Sequence, residues 1–101
     1  MQMANLFSLL KSTTLKVTYH HWTTPPVLPY LVYLMLNTDN FSADNKVYNN
    51  EANYSIELYT AIKDLASEKL VEDMLNDNDI FWDKTEIYIK AEKMYQITYS
   101  I

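Results

Sequence analysis

The chain contains no glycine and no cysteine, has only three prolines, and shows no excess of basic residues. Each absence excludes something. Without glycine, every backbone position with positive φ must be filled by a residue that carries a Cβ. Asn and Asp tolerate that conformation best. They cluster at residues 37–40, 44–45, 49–50 and 76–79, and we expect the turns at those four places. Without cysteine there is no disulfide framework and no thiolate chemistry, as fits a reducing cytoplasm. Eight basic against thirteen acidic residues give a formal net charge of −5. A free-standing nucleic-acid binder carries a basic footprint, and none is visible. The longest apolar run, residues 27–36, is too short to span a bilayer. Residues 1–10 lack the basic start and small-residue cleavage site of a signal peptide, so none is expected.

What is present is a sheet-forming, aromatic-rich chain. At 101 residues it is long enough for one domain with a thin core. Hydrophobic residues make up 49% and aromatics 14%, which argues against disorder. Nine tyrosines are many for this length. Their apolar bodies and polar tips suit half-exposed strands and protein interfaces.

Met3, Leu6, Phe7 and Leu10 recur at three- and four-residue spacing, so residues 3–13 read as a short amphipathic helix. The β-branched and aromatic stretch LKVTYHHW reads as a strand. In TTPPVLPY, Pro25, Pro26 and Pro29 cannot donate to a ladder, so an extended connector or edge is expected. The continuous apolar run YLVYLMLN fits a central strand covered on both faces. A polar loop, residues 39–46, separates it from a short strand KVYNN. ANYSIELYT then alternates, with Tyr54, Ile56 and Leu58 toward one side. Thr60 is placed to cap a helix over residues 61–75. Its apolar face comprises Ala66, Leu70, Val71, Met74 and Leu75, bordered by Ile62 and Leu65. Ile56, Leu58, Leu70 and Met74 are therefore expected in the core, and Asn is expected at the left-handed cap. Two closing strands, residues 81–89 and 94–101, are joined by KAEK. The order predicts a single small α+β domain, an antiparallel sheet of four to five strands with two helices packed on it.

Candidate chemistry is sparse. His20 and His21 are adjacent, and in a strand they would point to opposite faces, which is poor for chelating one metal. Asp77, Asp79, Asp83 and Glu86 do not match a calcium loop: DNDIFWDKTE has no glycine and sets Ile80, Phe81 and Trp82 at ligand positions. Asp64, Glu68 and Glu72 lie at i, i+4 and i+8, an acidic ridge that repels itself slightly. Its two readings are a solvated face and a surface that repels phosphate or meets a basic partner. No nucleophile has an adjacent base, and no glycine loop cradles phosphate. Neither catalytic residues, metal nor cofactor are expected.

Five segments share an order and spacing with something known. They are PYLVYL after the proline-rich turn, ADNKVY, YSIELYTAIKD, KTEIYI and EKMYQITY. Over residues 25–101 the chain resembles the small tail-terminator-like proteins of long-tailed bacteriophages of Gram-positive hosts, often classed as tail-completion or minor structural proteins. The resemblance implies an α+β subunit of a ring, typically a hexamer, on the head-proximal end of the tail tube. Such a ring ends tube polymerisation and docks the tail to the head connector or stopper protein. DNA passes its lumen without specific binding. The implied partners are further copies of the chain, the major tail tube protein and the connector, with no membrane. The implied location is the tail-neck junction of a virion assembled in the host cytoplasm.

Within that expectation Asp39, Asn40, Asp44, Asn45 and Lys46 are candidates for a contact with a neighbouring subunit or the tube. Asp64, Glu68 and Glu72 are candidate lumen-facing acids. A head-closure or other neck protein, and a small monomeric protein-binding module, are the alternatives.

Overall fold

The computed structural model describes residues 3–43 and 46–101, with side chains for residues 3–36 and 53–101. Seven elements follow one another: α1 (Met3–Lys11), β1 (Lys16–Tyr19), β2 (Tyr30–Ala43), β3 (Lys46–Thr60), α2 (Leu65–Asp77), β4 (Asp83–Ile89) and β5 (Met94–Ser100). The strands form a five-stranded mixed sheet in the order β1-β2-β3-β5-β4. This is the α+β fold expected from the sequence, mostly antiparallel.

The exception is β1, which pairs parallel with β2 from Lys16↔Tyr30 to Tyr19↔Tyr33. A parallel neighbour requires the chain to run back along the sheet before the second strand begins. Residues 20–29 make that return, and their prolines suit an extended path without ladder bonds. The bond between Leu28 and Pro29 is cis.

The two sheet faces divide the side chains by alternation. Leu31, Tyr33, Tyr54, Ile56, Leu58, Ile97 and Tyr99 share one face and form a single buried cluster with Leu6 and Leu10 of α1 and Val71, Met74 and Leu75 of α2. Both helices therefore cover the same face. On the other face Tyr30 and Val32 are also buried, so the first residues of β2 are covered on both sides, as their apolar run predicts. Further along, Met35 and Leu36 are exposed.

Three local expectations are corrected. The helix begins at Leu65 with Asp64 as its N-cap, and Thr60 lies buried at the end of β3. Asp64 wins because its two carboxylate oxygens accept from the Ser67 N–H at 3.1 Å and the Ser67 hydroxyl at 2.7 Å. Its buried face comprises Ser67, Glu68, Val71, Met74 and Leu75. Leu70, expected in the core, is 43% exposed, and Ala66, Ile62 and Leu65 are exposed too. The face is rotated because the first turns of α2 lie against charged rather than apolar groups of the sheet.

The second correction concerns turns. Residues 37–40 and 49–50 are strand, with Asp39 opposite Glu51 and Asn40 opposite Asn50. Of the expected loop over residues 39–46, residues 39–43 and 46 are strand, and residues 44–45 lie outside the described residues. The third concerns the missing glycine. Among the described residues Thr14, His20, Asp79 and Lys93 have positive φ, at 69°, 68°, 56° and 53°. At the end of α2 it is Asp79, not an Asn, that turns left-handed, while Asn78 has φ −105°. Ladder pairing outweighed the turn preference of Asn along β2 and β3. Helix ends and connections put left-handed geometry on whichever residue stood there.

Candidate functional site

The contact-loop candidates divide. Asp39 and Asn40 lie in β2 and Lys46 opens β3, opposite Ala43. Asp44 and Asn45 lie outside the described residues. β1 pairs with β2 only through Tyr33, and β5 pairs with β3 only from Ser55 onward. Beyond those limits β2 and β3 pair with each other alone, from Asn37↔Asn53 to Ala43↔Lys46. The result is a two-stranded ribbon continuing past the sheet, and along residues 37–43 and 46–52 no other described strand pairs with its outer edges. Such edges can accept a further strand.

The acid candidates are not a free ridge. Asp64 caps α2, and its bonds from Ser67 hold its carboxyl below the ordinary carboxylate value. Glu68 is 2% exposed. Its Oε1 accepts from Lys84 Nζ at 3.0 Å, and its Oε2 lies 2.7 Å from Lys63 Nζ, an ion pair rather than a well-directed hydrogen bond. Glu72 Oε2 accepts from Lys84 Nζ at 2.8 Å and from the Tyr99 hydroxyl at 2.7 Å. Lys63 also pairs with Glu86.

Alternating charges thus run from Glu86 through Lys63, Glu68 and Lys84 to Glu72 and Tyr99, tying α2 to β4 and β5. The register explains the arrangement: Lys84 and Glu86 stand opposite Tyr99 and Ile97, so this edge of the covered face is ionic. Burial pulls Glu68 upward, but the Lys63 and Lys84 ammonium groups outweigh it and hold the carboxyl below its ordinary value. Burial and the Glu72 carboxylate push the Tyr99 hydroxyl far up, so it stays a donor. Glu68 is enclosed by groups of its own chain. The repulsion expected of the i, i+4 acids is offset by lysines from other elements, which helix spacing does not reveal.

Asp77 and Asp79 are exposed at the end of α2, while Glu86 is held by Lys63. Among the described residues no group of three or more His, Asp or Glu could hold a metal ion. No helix among them is long and apolar enough to cross a membrane.

His20 and His21 depart from strand geometry. β1 ends at Tyr19, and the left-handed His20 turns the chain. The two rings meet edge to face with Nδ1 atoms 3.2 Å apart, so one Nδ1 donates and the other accepts. The expectation that the pair points to opposite faces is corrected by that backbone change.

These histidines open a cleft that sequence reasoning missed. It encloses about 360 Å³ on the face away from the helices, between residues 20–29 and the β4–β5 turn. Its aromatic wall is built on the cross-strand pair Tyr30↔Tyr59, with ring centroids 5.2 Å apart and Trp22 edge-on to Tyr30 at 5.9 Å. Tyr59 donates to Glu57 Oε1 at 2.9 Å, and Gln96 donates to Glu57 Oε2 at 3.2 Å. Burial and the Glu57 carboxylate raise the Tyr59 hydroxyl out of the titrating range. Glu92 lines the rim, beside Ile89 and Met94, and no lysine lines the cleft. Trp22 Nε1 is buried without a hydrogen-bond partner among the described residues. A buried orphan donor costs about 1–3 kcal/mol. Trp82, by contrast, donates to Asn76 Oδ1 at 2.9 Å. The signal available in the sequence was the density of aromatics around the prolines.

No protein-family model matches the chain, and no curated protein matches it.

Proposed function

We propose that the protein is a tail-terminator subunit, a structural assembly protein that joins further copies of itself in a ring at the head-proximal end of a phage tail tube. In this reading it ends tube polymerisation and docks the tail to the head connector or stopper. The resemblance over residues 25–101 and the α+β body support it. The observation that carries most weight is the β2–β3 ribbon, which no other described strand pairs along residues 37–43 and 46–52. A two-stranded ribbon alone is marginally stable in water, and a neighbouring surface or strand supplies what it lacks. Asp39, Asn40 and Lys46 lie in this ribbon, which supports their reading as a contact with a neighbour or the tube. The formal net charge of −5 gives passing DNA little cationic hold.

Two measurements test the proposal. Light scattering during size exclusion reads the oligomer, with a hexamer of the 11.9 kDa chain expected. Electron microscopy of particles assembled without this protein reads tail length, with overlong tails expected. Tails of normal length left unattached to heads would assign the protein to head closure instead. Normal joined tails, with a monomer in solution, would overturn any neck role.

A further inference from the structure

The cleft beside the histidine pair combines three features that point to one kind of ligand. Its wall is aromatic, from Trp22, Tyr30 and Tyr59. Among the described residues lining it, Glu92 is the one Asp, Glu, Lys or Arg, and Glu57 lies just behind, bonded to the Tyr59 hydroxyl. Trp22 Nε1 is a buried donor with nothing to donate to among the described residues. Ring faces attract cations, and a carboxylate beside them adds to the attraction. No lysine or arginine is among the described residues that line the cleft, so no fixed positive charge competes there.

We infer that this cleft binds an arginine side chain presented by a partner protein, its guanidinium against the Tyr59, Tyr30 and Trp22 rings and its charge facing Glu92. A backbone carbonyl of the same partner segment accepts from Trp22 Nε1. Arginine fits better than lysine because its planar, weakly hydrated group stacks on rings and donates in a fan, whereas an ammonium holds its water more tightly. The volume of about 360 Å³ lies at the small end for ligand pockets and suits one side chain with its backbone. The inference is independent of the ring proposal, since a neck protein and a monomeric module could each use such a cleft.

The test is a titration of the isotopically labelled chain with Nα-acetyl-arginine N-methylamide, followed through the two indole N–H resonances. The Trp22 resonance should move saturably while that of Trp82, already bonded to Asn76, stays in place. The matching citrulline compound has the same shape without the charge and should bind at least about fivefold more weakly. Glu92→Gln, on an exposed turn, should weaken arginine binding by about threefold. Trp22→Phe keeps a ring and removes the donor; followed through the Tyr59 ring signals, it should weaken binding by about fivefold. An unmoved Trp22 resonance, equal affinity for citrulline, or Glu92→Gln without effect would overturn the inference. Tetramethylammonium binding as tightly as the arginine compound would overturn it in favour of a free organic cation.

Discussion

The same two strands behave differently at their two ends. Between Tyr54 and Thr60, β3 is clasped by β2 and β5 and packed under both helices, with Tyr54, Ile56 and Leu58 buried. From Asn37 to Ala43, and back from Lys46 to Ala52, β2 and β3 pair with each other and with no other described strand. The first segment alternates apolar with polar residues. The second is written in Asn, Asp and Ser with few apolar positions. Backbone pairing alone continues a ladder, but only the alternating segment can build a core. Body and ribbon should therefore answer to different perturbations.

The largest expected effect lies in the body. Ile56→Ala should lower unfolding free energy by about 2–5 kcal/mol in urea titrations, because the side chain is fully buried in the cluster. Leu70→Ala, by contrast, should cost about 1 kcal/mol or less, as befits its exposure. Equal effects would mean that α2 packs by the other face.

Next comes the ionic edge. Replacing both Lys63 and Lys84 by Met strands the Glu68 carboxylate and should cost about 3 kcal/mol. Glu68→Leu leaves each lysine with another acid, Glu86 or Glu72, and should cost less than about 1 kcal/mol. The reverse order would break this account. Because Glu68 and Asp64 sit below their ordinary values of 4.5 and 3.8, their contributions are fully present above those values. They are lost as pH falls through the lower folded values. Stability read by urea unfolding should therefore drop in that acid range, and Glu68→Leu should flatten the drop.

A smaller gain is expected at Thr14, a β-branched residue at φ 69° just past α1. Thr14→Gly should stabilise the chain by about 0.5–1 kcal/mol, since relief of the left-handed clash exceeds the added chain entropy. A loss of stability in thermal unfolding would show that the Thr14 side chain matters more than its backbone. The smallest effect belongs to the ribbon. Replacing residues 40–50 by a two-residue Asn-Gly turn, closed by the Asp39↔Glu51 pair, should change monomer stability by under about 0.5 kcal/mol, because the ladder removed lies beyond the core and the shorter hairpin closes at little entropic cost. The same change should abolish any ring seen by light scattering. A ring that survives would move the subunit contact to the body.

Much of the body was legible in residue order. Alternation at Tyr54, Ile56 and Leu58, and again at Tyr95, Ile97 and Tyr99, reports a strand with one buried face whatever packs on it. Three- and four-residue spacing at Leu6 and Leu10, and at Val71, Met74 and Leu75, reports helices in the same way. These periodicities are local and determined the α+β class by themselves. The tertiary structure decided what local pattern cannot carry. It paired β1 parallel to β2, so that residues 20–29 had to return over the open face and bring His20, His21 and Trp22 to Tyr30 and Tyr59. It also set Lys84 of β4 and Lys63, between β3 and α2, against Glu68 and turned an apparent acidic ridge into an ion-pair chain around one buried acid. Charges and ring faces act through space, over distances that depend on which strands become neighbours, and sequence spacing along one element does not hold that information.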